Sequence, residues 1–149
     1  MRIYLDTCSL QRPLDDRSQL RIRQEAEAIL YVLERIHSGT CGLVSSEVLD
    51  FEIAKNPDRT RLDFASETVS TAEISVLVTA EIEKRARELN QKGVDTLDSL
   101  HLACAEAGGA SYFCTSDDAL LRKAKRELTG VKAVSPLELA QELELWESR

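Results

Sequence analysis

No apolar run in this sequence approaches the ~20 residues that a membrane span needs. Arg2 is followed by a strand-like stretch rather than by the apolar core of a signal peptide. Both absences predict a cytoplasmic protein with no membrane partner. Paired cysteines are lacking as well. Cys8, Cys41, Cys104 and Cys114 lie far apart, with no Cys-x-x-Cys, and the last three fall on predicted strands or a helix. Reduced thiols are expected, and with two isolated histidines a zinc site is not. An excess of positive charge is missing too: 26 acids against 19 bases leave a net charge of −7. That argues against a broad basic face gripping a phosphate backbone. A nucleic-acid substrate remains open, because a bound divalent cation supplies positive charge locally.

What is present describes one domain over residues 1–149, with 43% hydrophobic and 30% charged residues. Strand and helix signals alternate. Ile3–Leu5 read as a short buried strand. QLRIRQEAEAILYVLERIHSG places Ile22, Ala26, Ile29, Leu33 and Ile36 at helical spacing, with Gly39 to close the helix. CGLVSS is a second strand, and SEVLDFEIAK a helix stopped at Asn56-Pro57. A weaker helix follows over DRTRLDFASETV. Ile74–Val78 is the third strand, and TAEIEKRARELNQKG a helix. DTLDSLHLACAEAGG is another, with Asp95 as N-cap and Leu97, Leu100, Cys104 and Ala107 toward the core. SYFCTS, DDALLRKAKREL and VKAV give strand, helix, strand, and Ser135-Pro136-Leu137-Glu138 is a capping box opening the last helix. Strands separated by helices mean a parallel sheet covered on both faces, an α/β fold.

The acids fall where such a sheet puts its chemistry, beyond the carboxyl ends of its strands. Asp6 follows the first strand, Glu47 the second and Asp117 the fourth, while Asp98 comes from a helix. Each has a plain structural role open to it, since acids cap helices and favour their N-terminal dipoles. Capping does not require convergence, however, and four converging carboxylates repel one another. A hard cation offsets that cost. Mg²⁺ and Mn²⁺ take oxygen ligands, and such a site suits metal-assisted phosphodiester hydrolysis.

LDTCSL, SSEVL, DTLDSLHLA and CTSDDAL resemble, in order, the four acidic motifs of the PIN-domain nucleases, the family that includes the VapC-type toxins. The resemblance implies a three-layer α/β/α sandwich around a parallel sheet of about five short strands, and an Mg²⁺- or Mn²⁺-dependent endoribonuclease site. By the same resemblance Asp6, Glu47, Asp98 and Asp117 are the catalytic, metal-holding acids, with Thr7 and Thr115 in support. It implies an RNA substrate, an antitoxin protein as partner and a homodimer. Two features depart from the pattern: Cys8, where relatives often carry Ser or Asn, and the polar segment RPLDDRSQ, whose Asp15 and Asp16 read as loop acids. His101 reads as a packed helix-face histidine, with a ligand or base role as the sharper alternative. Arg12, Arg17, Arg21 and Arg23, and Arg122, Lys123, Lys125 and Arg126, form two basic groups able to flank the site. Other readings are a non-catalytic PIN module binding RNA or protein, and a free-standing RNA-processing nuclease. A phosphatase of haloacid-dehalogenase type wants an aspartate where Cys8 stands.

Overall fold

A computed structural model describes residues 1–148. Five strands, β1 (Arg2–Leu5), β2 (Gly42–Ser46), β3 (Ile74–Val76), β4 (Tyr112–Cys114) and β5 (Lys132–Val134), form one sheet in the order β3-β2-β1-β4-β5. Every pairing is parallel, with Ile3 beside Leu43 on one side and beside Tyr112 on the other. The helices are α1 (Thr7–Gln11), α2 (Leu20–His37), α3 (Glu47–Ala54), α4 (Arg59–Val69), α5 (Ala80–Gln91), α6 (Thr96–Ala107), α7 (Asp118–Glu127) and α8 (Pro136–Glu147). A short 3₁₀ turn, Arg12–Leu14, follows α1.

Period-two alternation along the strands builds two cores. Tyr4, Val44, Phe113 and Ala133 face α5, α6 and α7, packing with Ile82, Ala86, Leu89, Leu102 and Leu120. Ile3, Leu5, Leu43, Cys114 and Val134 face the other way, onto Leu10, Ile29, Val32, Leu139 and Leu143 of α1, α2 and α8. Val48 joins the first cluster while Leu49 and Ile53 join the second, so α3 lies at the boundary of the layers. The architecture is the expected α/β/α sandwich. Among the described residues no helix is long and apolar enough to cross a membrane.

Several expected signals are realised in detail. Ser135 and Glu138 close a reciprocal capping box at α8. Gly39, at φ +82°, ends the turn after α2, a conformation that L side chains rarely adopt. All four cysteines are free thiols. Asp15 is a loop acid, as expected, and there it bridges Arg12 and Arg61. Two details differ. β3 stops at Val76, two residues early. The buried face of α6 is Ser99 and His101 through Ala105, while Leu97 is 38% exposed and Ala107 is exposed. The reason is close approach: a Cβ on Gly108 would stand 2.7 Å from Val44 Cγ1 and 2.9 Å from Val76 Cγ2. α6 therefore presses small residues onto the sheet.

The strand order fixes where a site can form. From β1 the chain runs outward through β2 and β3, then returns to the other side of β1 for β4 and β5. Strand order thus reverses between β1 and β4, and the crevice beyond their carboxyl ends is the binding position of open α/β sheets.

Candidate functional site

Asp6 and Thr115 stand at that switch point. The Asp6 amide donates to Cys114 O at 3.1 Å, continuing the β1–β4 ladder for one more residue. Its carboxylate turns back to cap α1, accepting from the Ser9 amide at 2.9 Å, and the Thr115 and Ser9 hydroxyls also bond to it. Asp6 is only 6% exposed. Burial pushes its carboxyl above the ordinary value, and those hydrogen bonds oppose the rise without cancelling it.

Asp117 is a helix cap and more. Its Oδ1 accepts from the amides of Ala119 at 2.9 Å and Leu120 at 3.1 Å, and its own amide donates to Thr115 Oγ1 at 3.1 Å. Thr115 thus links the acid after β1 to the acid after β4. Asp98, half-buried on the first turn of α6, completes the group. Burial raises its carboxyl first, then the charges of Asp6, Asp95 and Asp117, with His101 opposing. Asp95 sits at the N-cap of α6 as expected but makes no capping bond. Its charge is spent on the same cluster.

Glu47 is not brought to this group. It is exposed, and its Oε1 accepts from the Val78 amide at 2.8 Å, closing the end of β3 instead. The acid of α3 that turns toward the site is Glu52. Thr7 Oγ1 donates to Glu52 Oε1 at 2.6 Å, next to Asp6 in the chain. His101 Nε2 reaches the same oxygen at 2.5 Å. Burial alone would raise Glu52, yet the bonds from His101 and Thr7 outweigh it and hold the carboxyl below its usual value. Helix geometry separates the two glutamates: five residues at ~100° each put them about 140° apart, so one helix cannot aim both at one crevice. Glu52 follows Val48 and Leu49 by four and three residues, on the buried side, and that spacing was the signal for it.

The Cys8 thiol senses the resulting field. Although its residue is exposed at the surface, it is pushed up to about 11, by its packed surroundings first and then by Asp6, Glu52 and Asp117, with Arg12 opposing. The thiol form is favoured at this position, which leaves the carboxylates and hydroxyls as the charged and polar groups of the site.

Among the described residues no three His, Cys, Asp or Glu side chains are arranged to hold a metal ion by themselves. The donor set nevertheless fits a hard divalent cation: it is all carboxylate and hydroxyl oxygen, burial and then the neighbouring carboxylates disfavour the Asp98 charge, and Mg²⁺ sites use one or two carboxylates with waters rather than a closed protein cage.

Much of the flanking positive charge is already engaged. Arg21 makes a two-pronged pair with Asp118 at 2.9 and 2.8 Å and donates to Ser116 O at 3.2 Å. Glu25, buried in α2, draws Arg12 to 3.1 Å and Arg21 to 3.4 Å. The Arg12 contact is close without the alignment of a hydrogen bond. Lys125 pairs with Glu138, and Arg126 with Glu127. Arg23, Arg122 and Lys123 have no ion pair to another described side chain.

Fold and site together define an α/β sandwich with an acidic crevice at its switch point. The chain belongs to the PIN domain family, a family of nucleases: the PIN domain profile matches residues 3–126. Comparison with curated proteins gives no significant match. Among solved structures, the fold is similar to VapBC2 from Rickettsia felis, determined bound to a DNA fragment from their promoter. That likeness has a TM-score of 0.60 and 16% identity, and covers 91% of this chain and 98% of that one. PAE2754 from Pyrobaculum aerophilum is similar at a TM-score of 0.55 and 16% identity, over 97% of this chain and 99% of that one.

Proposed function

We propose that this protein is an Mg²⁺- or Mn²⁺-dependent endoribonuclease and the toxin member of a toxin–antitoxin pair. The observation that carries the reading is the grouping of Asp6, Asp98 and Asp117 beyond the ends of β1 and β4, where burial first, and then the charges of Asp6, Asp95 and Asp117, hold the Asp98 carboxyl above its ordinary value. Glu52 joins them in the place first expected for Glu47. PIN nucleases generally use divalent metal ions, which supports the cofactor. A divalent cation bound there supplies charge to the scissile phosphate and lowers the pKa of a bound water.

The chain's own groups have separable tasks. Asp6 is a fixed ligand, its carboxylate aimed by the Ser9 amide and the Thr115 hydroxyl. Asp98 is the adaptable one, since no described donor bonds its oxygens. Asp117 commits Oδ1 to α7, and no described donor bonds its Oδ2. Arg122 and Lys123 on α7, with Arg23 on α2, supply phosphate contacts that position RNA without reading its sequence. An inhibitory partner would place a basic side chain among these carboxylates, and the likeness to VapBC2 supports such a partner. Leu145 and Trp146, 65% and 45% exposed on α8, offer apolar surface for a homodimer.

Purified protein incubated with mixed RNA tests the reading, with Mn²⁺, with chelator, and beside Asp6→Asn. Cleavage with Mn²⁺ that chelator and the substitution both abolish is the expected result. Equal cleavage in all arms would assign the activity to a contaminant. RNA binding without cleavage would favour a non-catalytic PIN module.

A further inference from the structure

Beneath the acidic crevice runs a chain of hydrogen bonds for which the nuclease reading has no use. Ser46 Oγ stands 2.7 Å from the Tyr4 hydroxyl, which stands 2.6 Å from His101 Nδ1. The other ring nitrogen, Nε2, lies 2.5 Å from Glu52 Oε1, and Thr7 donates to that same oxygen at 2.6 Å. Tyr4 and Ser46 are fully buried and His101 is 2% exposed. Such a network is tolerable in a core only when each member is satisfied, and here each is. Tyr4 cannot swing away, because its ring stacks on Phe113 with centroids 5.6 Å apart and meets the His101 ring edge-on at 5.7 Å.

A carboxylate only accepts hydrogen bonds, so Nε2 is the donor to Glu52. Both donors, His101 and Thr7, converge on Oε1, and no described residue bonds Oε2. Two bonds to one oxygen fix the rotation of the group and leave the second oxygen for a ligand. A packing role alone would not need this: a leucine fills a helix–sheet seam as well as a histidine, with no polar group to satisfy.

We infer that His101 is a positioning residue, holding Glu52 through Nε2–H so that Oε2 faces the acidic crevice, with Tyr4 fixing the imidazole plane. The inference rests on the place given above to Glu52 in the acidic set. It assigns His101 no proton transfer and no contact with substrate.

Amide substitutions separate the two ring nitrogens. The Gln side chain puts an N–H where Nε2 stands, whereas Asn reaches only the Nδ1 position. Two quantities are read on each protein: Mn²⁺ affinity by calorimetry without RNA, and the KM and kcat of RNA cleavage with Mn²⁺. His101→Asn should weaken Mn²⁺ binding and lower kcat, each by about 10–100-fold with KM little changed, as for other residues that orient metal ligands. His101→Gln should restore both to within about threefold of wild type, and Tyr4→Phe should fall between. Equal losses in Gln and Asn variants, or no loss in Asn, would overturn the inference. A wild type that neither binds Mn²⁺ nor cleaves RNA would remove the nuclease reading instead. In that event crystal structures of the metal-free variants still decide. Glu52 should keep its Thr7 bond in the Gln variant and leave it in the Asn variant, and an unmoved Glu52 in both would sink the proposal.

Discussion

Replacing Asp98 by Asn deletes one charge from the acidic crevice at almost no structural cost. No described donor bonds the Asp98 carboxylate, so the amide forfeits no hydrogen bond. What it removes is first the cost of burying that charge, and then repulsion from Asp6, Asp95 and Asp117, offset in part by attraction to His101. A like charge beside a partly exposed carboxylate costs on the order of 1 kcal/mol. Three such neighbours, one opposing partner and screening at a half-exposed site leave a net relief on the order of 1 kcal/mol. For a domain of this size that is a rise of about 3 °C in Tm. The sign depends on pH. Asp98 has an ordinary value of 3.8 and a raised one in the fold, so the folded protein holds this proton more tightly than the unfolded chain. The charge is therefore a cost that appears as pH rises from about 3.8 through the raised value, persists above it, and vanishes below. Melting curves at pH 7 and at pH 3.5, roughly, measure it. Without metal, Asp98→Asn should melt above wild type at the higher pH and level with it at the lower. Mn²⁺ should raise the wild-type Tm by mass action and raise the variant's much less. A variant destabilised at neutral pH with its metal response intact would refute the reasoning and leave Asp98 a helix-start residue.

Glu52→Gln should cut cleavage by at least about 10-fold, while Glu47→Gln, on the far side of α3, should leave kcat and KM near wild type; steady-state kinetics on both compares the two glutamates directly. Arg85 bridges α5 to Glu106 at 2.8 and 3.0 Å and to Glu127 O at 2.9 Å. Its replacement by Leu should cost about 1–3 kcal/mol in urea unfolding without changing Mn²⁺ affinity. Alanine at Arg122 and Lys123 together should flatten the salt dependence of single-stranded RNA binding by about 0.7 per lost phosphate contact; an unchanged slope would take α7 out of the RNA path. Expression in the native host should co-purify a small inhibitory protein. Recovery of active enzyme alone would favour a free-standing processing nuclease.

The fold was legible because alternation of strand and helix signals is a strong pattern, and the capping box at Ser135 and the stop at Asn56-Pro57 marked boundaries locally. α1 was not legible: five residues carry too little periodicity, and Asp6, which caps it, reads equally as a cap or a ligand. The placement of the acids after β1 and β4 was legible because strand ends fix where their first residues stand. Glu47 drew attention by the same rule, but a helix rotates its side chains away from the strand axis: Glu47 bonds the Val78 amide, and the carboxylate that meets Thr7 and His101 lies five residues on. His101 was legible as a buried helix-face residue, yet its partners Tyr4 and Glu52 come from elements distant in sequence. On α6 Leu100 and Cys104 pack into the core as expected, while Leu97 and Ala107 are exposed and Ala103 and Ala105 are buried instead. Contact with the sheet at Gly108 selects small residues over large ones.

The central claim is that the crevice between β1 and β4 holds a divalent cation on Asp6, Asp98 and Asp117. Crystals soaked in Mn²⁺ and measured for its anomalous scattering test it most directly. The account predicts a peak in contact with Asp6 and at least one of Asp98 and Asp117, lost in crystals of Asp6→Asn. A saturating soak with no peak there, or a peak that persists in Asp6→Asn, would contradict it.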